Sequence, residues 1–253
     1  MRNLIAPNML RPSADRASQR GFTLVELSIV LVIIGLIIGG VLKGQELIGN
    51  AQIKNVVSQA ESYKAAFIAF QDKYNGLPGD ILNANLLIPN CTASPCLPGG
   101  TGNGNGQIGV DVTATLGGDV GTDAENIAFW QQLTAARFIG GIILGGTTST
   151  FGNRLPSAET GGGFEIAYNA TTGRHGLRLS GNPTTINATN GGLRADQALQ
   201  IDGILDDGLP LSGSTLTNAT ISSNTTCFST SVTPNIYAGS NNVRSCNLWI
   251  ETP

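Results

Sequence analysis

Charge is scarce in this chain: only 12% of its 253 residues are Asp, Glu, Lys or Arg, against about a quarter in typical soluble domains. Histidine occurs once, as His175. No G-x-S-x-G, H-E-x-x-H or glycine-rich phosphate loop with its lysine is present. A nucleophilic triad would have to use His175, beside Arg174 and Arg178 on an expected hairpin, where it reads as an ordinary surface histidine. The expectation is a protein that is not an enzyme and has no obligatory cofactor. Basic clusters with interleaved aromatics are also missing, so nucleic acid is not expected as a partner. A metal site built on the four cysteines has little support, because their spacing is not C-x-x-C and the chain holds a single histidine.

What is present is glycine, 34 residues of it, with many Asn, Thr and Ser in a chain that is 41% apolar. That composition reads as a loop-rich, mostly β body outside the cytoplasm, with an appendage. Cys91, Cys96, Cys227 and Cys246 could pair in three ways. Nearest-neighbour pairing, Cys91–Cys96 and Cys227–Cys246, is expected, because each pair closes a loop rich in Pro, Thr, Ser and Asn. The longer loop would contribute about 3 kcal/mol in the chain-entropy model. Disulfides place the body in an oxidising compartment.

From Phe22 to Leu42 the chain is almost wholly apolar, interrupted by a carboxylate at Glu26. At about 1.5 Å per residue this stretch reaches roughly 31 Å, enough to cross a bilayer's hydrocarbon core. Arg2, Arg11, Arg16 and Arg20 precede it against Asp15, a net of +3, whereas only Lys43 follows immediately. The N-terminus is therefore expected in the cytoplasm and the body on the far side. A cleaved secretory signal would need an A-x-A-like site, and G-G-V-L-K-G-Q stands in its place. A plain membrane anchor leaves Glu26 unexplained, at a cost of about 2.5–3.5 kcal/mol near a bilayer centre.

G-F-T-L-V-E-L followed by an apolar run resembles the signature of type IV pilins and type II secretion pseudopilins. The resemblance implies cleavage by a prepilin peptidase between Gly21 and Phe22, N-methylation of Phe22, and an assembly role for Glu26. Cutting there creates an ammonium on Phe22, and a carboxylate in low dielectric needs such a partner. In the family the amine belongs to a neighbouring subunit, which makes the pair a register device; a salt bridge to the chain's own amine is the other reading. The family fold implied is α+β, a pilin-like lollipop with a long N-terminal helix packed on a C-terminal antiparallel sheet with short helices and loops. The function implied is a structural subunit of a type IV pilus or secretion pseudopilus. The alternative is a low-abundance minor pilin or tip binding module exported by the same signature. Partners would be other pilin or pseudopilin subunits, the prepilin peptidase and the inner membrane before assembly.

Ile53, Val56, Ala60, Tyr63, Phe67, Phe70 and Tyr74 recur at alternating steps of 3 and 4, an amphipathic helical stripe. One helix from about Phe22 to Tyr74 is predicted, roughly 80 Å if straight. Asn75 and Gly76 would cap it and Pro78 forbids continuation. The expected organisation is a leader at 1–21, a membrane and assembly segment at 22–42, an amphipathic segment at 43–75 and a body at 76–253. The ending Y-N-G-L-P-G-D, with E-N-I-A-F-W-Q-Q-L and D-D-G-L-P-L-S-G, extends the resemblance to a subset of pilin-like proteins.

In the body, Pro98–Gly121 reads as a mobile loop; Asn103, Asn105 and Asp111 match a calcium loop poorly. Thr122 and Glu125 form a capping box opening a helix to about Phe138, with Ile127, Trp130, Leu133 and Phe138 facing the core. Phe164–Asn169 and Gly176–Ser180 read as a hairpin, and Leu193–Leu205 as a short helix. Asp202, Asp206 and Asp207 precede Gly208, where family pseudopilins often bind calcium and where Asp-Gly is also an ordinary turn. Cys227 to Trp249 is expected as strands and loop held by the second bridge, with Trp249 closing the sheet.

Overall fold

A computed structural model of the chain describes residues 21–92, 94, 96–97, 102–109, 124–170, 172–182, 191–217, 227–229, 233–238 and 243–252. The leader arginines, Asp111 and Thr122 lie outside the described residues. The chain divides into two compact units, Met1–Leu47 and Ile48–Pro253. One helix, α1 (Leu24–Tyr74), contributes residues to both.

In the first unit α1 is bare. Its apolar side chains from Leu24 to Leu42 are all exposed, and it is long and apolar enough to cross a membrane, with a mean hydropathy of 2.7 over its most apolar 18 residues. Gly35, Gly39 and Gly40 do not break it, because an uninterrupted apolar run holds helical geometry on both sides of them.

The second unit is α+β. After α1 come α2 (Ala84–Leu87), α3 (Ala124–Ala135), β1 (Gly163–Asn169), β2 (Arg174–Ser180), α4 (Ala195–Leu205), β3 (Thr215–Thr217), β4 (Phe228–Ser229), β5 (Ile236–Tyr237) and β6 (Leu248–Glu251). Four strands form an antiparallel sheet in the order β1-β2-β6-β3, and β4 pairs with β5 separately. The predicted stripe is the buried one: Ile53, Val56, Ala60, Tyr63, Phe67 and Phe70 are all in the core. Tyr63 packs edge-on between Trp130, 5.1 Å away, and Phe164, 5.3 Å away. Trp130 is therefore a core contact from α3, as its helical spacing indicated.

Sheet register sorts the two faces. Phe164 pairs with Leu179, Ile166 with Leu177, and Leu177 and Leu179 with Ile250 and Leu248; all six belong to the α1 core. The opposite face carries one row across all four strands, Glu165, Arg178, Trp249 and Leu216. Arg178 is no hairpin surface residue: its Nε donates to Glu165 Oε2 at 2.7 Å, and both side chains are only 1% exposed. Trp249 lies in the middle of the sheet and stands over Gly176, where any Cβ would fall 2.2 Å from its indole.

α1 starts at Leu24 instead of Phe22, where Thr23 caps it, and two helix ends in the body also differ from the sequence expectation, each for a local reason. α3 stops at Ala135 instead of Phe138 because Arg137 turns left-handed, with φ of 64°, and Phe138 N–H bonds back to Leu133 O at 3.0 Å. α4 starts at Ala195 because Arg194 serves as its cap, its N–H bonding Gln197 Oε1 at 3.1 Å. Asn75 closes α1 in the left-handed region, as predicted, with φ of 51°.

Candidate functional site

The apolar span holds only three polar side chains, Thr23, Glu26 and Ser28, and each is bonded within the first turns of α1. Glu26 Oε2 accepts from both the N–H and the hydroxyl of Thr23, each at 2.9 Å, while Glu26 N–H donates to Thr23 Oγ1 at 3.2 Å. That is a reciprocal capping box: Thr23 caps the helix and the third helical residue reaches back. Ser28 Oγ donates to Val25 O at 2.8 Å. The sequence carried this signal as T-L-V-E, a threonine and a glutamate three apart. It was overlooked because the motif's glutamate was considered only as half of an ion pair.

Both Thr23 donors fall on one oxygen. Glu26 Oε1 accepts no hydrogen bond among the described residues. The carboxylate is thus held in place by its own chain with one oxygen still available to a cation. Gly21 and Phe22 precede the helix in extended, exposed chain, with Phe22 83% exposed and nothing within 4 Å of a Cβ built at Gly21. A protease can reach such a junction without unwinding a helix.

Cys91 is joined to Cys96, and Cys227 to Cys246, with Cα–Cα distances of 5.2 Å in both. These are the nearest-neighbour pairs. Cys96 O accepts from the buried Gln132 of α3 at 3.1 Å, which ties the small loop to the core. Cys246 N–H bonds Leu193 O, and Cys227 O accepts from Ala238 N–H, so the second bridge links β4 to the chain that leads into β6.

The three aspartates come together at the end of α4, with a carboxylate oxygen of each within 4.8 Å of the others. Asp202 is fully buried; its Oδ2 accepts from Tyr237 Oη at 2.8 Å and its Oδ1 has no hydrogen-bond partner among the described residues. Asp206 Oδ2 accepts from the N–H groups of Ser214 and Thr215. Asp207 accepts from Leu209 N–H at 2.8 Å and from Ser212 Oγ at 2.6 Å. Burial, and then the charges of Asp207 and Asp206, push the Asp202 carboxyl up to about 6, against the pull of the Tyr237 hydroxyl. Asp207 is held below the usual carboxylate range by Ser212 and Leu209. Asp206 and Asp207 therefore organise the turn into β3, as the plain Asp-Gly reading required. The orphaned oxygen of Asp202 among two further carboxylates is nonetheless the hard oxygen donor set that suits a divalent cation such as calcium.

Asn103 and Asn105, by contrast, are spent on their own backbone, accepting from Asn105 N–H at 2.9 Å and Gln107 N–H at 2.7 Å. His175, expected at the surface, is half-buried in β2 against Phe67 and Tyr168, because β2 begins earlier than the predicted Gly176.

Residues 16–42 match the family model of the prokaryotic N-terminal methylation motif, the signature of type IV pilin and pseudopilin precursors. No curated protein and no solved structure matches the chain. The match covers the N-terminal segment alone and supports a type IV pilin-like or pseudopilin precursor; such a motif implies processing by a prepilin peptidase and assembly with other pilin subunits. The bare apolar helix is consistent with a membrane-anchored precursor.

Proposed function

We propose that this chain is a structural subunit of a type IV pilus or type II secretion pseudopilus. Residues 1–21 are the leader, removed by a prepilin peptidase between Gly21 and Phe22, after which Phe22 is N-methylated. Residues 22–42 hold the precursor in the inner membrane and later pack against other subunits. Residues 43–75 carry the body, 76–253, outside the cytoplasm and then on a periplasmic or extracellular filament. Glu26 pairs with the Phe22 ammonium of a neighbouring subunit.

The observation that carries this reading is the exposed apolar helix of matching signature whose single carboxylate is prepositioned by Thr23, with one oxygen left over. A subunit out of step would leave an ammonium and a carboxylate unpaired in a low-dielectric core, which costs several kcal/mol. Mass spectrometry of the native N-terminus tests the assignment directly: a mature chain starting at N-methyl-Phe22 is expected. Gly21→Ala should yield an uncut precursor that does not assemble, since a methyl group intrudes where the peptidase must grip the glycine. Normal processing of that variant would refute the cleavage site.

Asp202, Asp206 and Asp207 would hold a structural calcium ion in the body. Without the ion, Asp202's raised carboxyl favours the protonated folded state, so its contribution is full below pH 4 and lost as pH rises through about 6. Calcium reverses that trend by binding the ionised form. At a hundredfold excess over Kd the ion would add about 2.7 kcal/mol, raising Tm by about 5–10 °C. Thermal melts at pH 7.5 in calcium and in chelator measure this, with Asp202→Asn as the variant that should lose the difference. Identical midpoints in calcium and chelator would remove the metal.

A further inference from the structure

The segment 102–109 follows the disulfide loop and is held by an unusual arrangement: every backbone N–H from Gly104 to Gly109 donates to a side chain. Asp80, 3% exposed at the end of the P-G-D turn, receives three of them. Its Oδ1 accepts from Gly104 at 2.7 Å and Asn105 at 3.3 Å, and its Oδ2 from Gly106 at 2.8 Å. Gln107 N–H goes to Asn105 Oδ1. Ile108 N–H donates to Nε2 of His175 at 3.1 Å, and Gly109 N–H to Glu125 Oε2 at 2.9 Å. Ile108 itself is fully buried in the main core. Gly104 and Gly106 form part of the wall of a cavity of about 410 Å³ whose lining also includes Asp80 itself, Tyr74, Ile81 and Leu87.

The acceptor role of Nε2 fixes the chemistry of the histidine. Only a neutral imidazole protonated at Nδ1 can accept there; the imidazolium has a donor at both nitrogens. Protonation therefore does more than break one bond, since it sets an N–H against the Ile108 N–H inside the core. Phe67 of α1 and Tyr168 of β1 flank the ring at 6.1 and 5.1 Å between centroids, and a ring flip would only present the other N–H of the imidazolium. Thr252 pins the backbone by donating both N–H and hydroxyl to His175 O at 2.9 Å.

We propose that segment 102–109 is an acid-released latch, fastened at neutral pH by His175 and Asp80 and let go when the imidazole takes up a proton, withdrawing Ile108 from the core and opening the adjoining cavity. The charged groups around the ring are Asp80, whose negative charge favours the imidazolium, and the Arg174–Glu251 pair, 3.3 Å apart, at the neighbouring register position. Burial outweighs Asp80 and lowers the His175 pKa to about 4. The neutral latch is thus closed across the ordinary range and opens only in acid. The folded histidine titrates below its unfolded value, so its contribution to stability is full above about pH 6.5 and is lost as pH falls through about 4.

As the chain has one histidine, the test needs no assignment. Full-length protein in detergent micelles, labelled with ¹⁵N-histidine, should show a single imidazole in the Nδ1–H tautomer titrating near pH 4. Amide exchange measured by mass spectrometry, corrected for intrinsic rates, should show segment 102–109 losing at least tenfold protection across that titration while α3 keeps its own. His175→Gln supplies an amide oxygen that can still accept from Ile108 but cannot be protonated, so its segment should stay protected to lower pH. An imidazole titrating near 6.5, or identical exchange of segment 102–109 with pH in wild type and variant, would overturn the latch. Should the variant fail to fold, the wild-type titration and exchange decide alone.

Discussion

Glu26→Ala is expected to give a chain that enters the membrane and is cut, yet assembles at a small fraction of wild-type yield. Two physical roles converge on that carboxylate, and they separate by substitution. One is the capping box with Thr23, worth about 1 kcal/mol to the start of the helix. The other is the proposed charge pairing, in which an ammonium created at Phe22 would have to find an anion before entering an apolar filament core. Glu26→Gln keeps the first role, since a glutamine oxygen can accept from Thr23 in the same way, and removes the second. If charge pairing controls assembly, Glu26→Gln should fail nearly as badly as Glu26→Ala, and Thr23→Val should lose much less. Yields of sheared filaments or crosslinked multimers measure all three. Wild-type yield from Glu26→Gln would leave only the cap and dismiss the inter-subunit pair.

The next largest effect is expected in the body. Arg178→Met should take from the Glu165 carboxylate the guanidinium it is paired with in the sheet, where both partners are 1% exposed. Removing one member of such a buried pair costs about 3–5 kcal/mol, which for a unit of this size lowers Tm by about 6–20 °C. The double variant Glu165→Leu/Arg178→Met should recover most of that loss, because the charge left behind, rather than the missing bond, causes it. Thermal unfolding of the two variants side by side is the measurement. A single variant melting at the wild-type temperature would mean that Glu165 has found another cation or has taken up a proton.

The two ends of the molecule were not equally legible in the sequence. The long helix, predicted from about Phe22 to Tyr74 and found at Leu24–Tyr74, could be read because its apolar run and its later stripe are local patterns, repeated over many turns. Its C-terminal stop was written in Asn75 and Pro78. Arg137 could not be read as the end of α3, since arginine has no preference for the left-handed region and only the packing of α3 imposes it. His175 was misplaced for a related reason. It looked like an exposed hairpin residue, and it is drawn inward because the 102–109 segment supplies a partner far away in the sequence; the burial of Arg178 against Glu165 was likewise not legible. Asp80 is the strongest case: nothing in P-G-D announces that its carboxylate will gather N–H groups more than twenty residues later.

By itself, the sequence determined the methylation motif, the long apolar run, the helical period and the disulfide partners, because each depends on neighbours within a few tens of residues or on bulk hydrophobicity. The tertiary structure alone decided which polar groups are buried and what satisfies them: Arg178 with Glu165, Asp80 with the 104–106 amides, His175 with Ile108. The reason is that a buried polar group must be paired somewhere. The partner is set by which distant segment the fold brings beside it, and no local pattern encodes that.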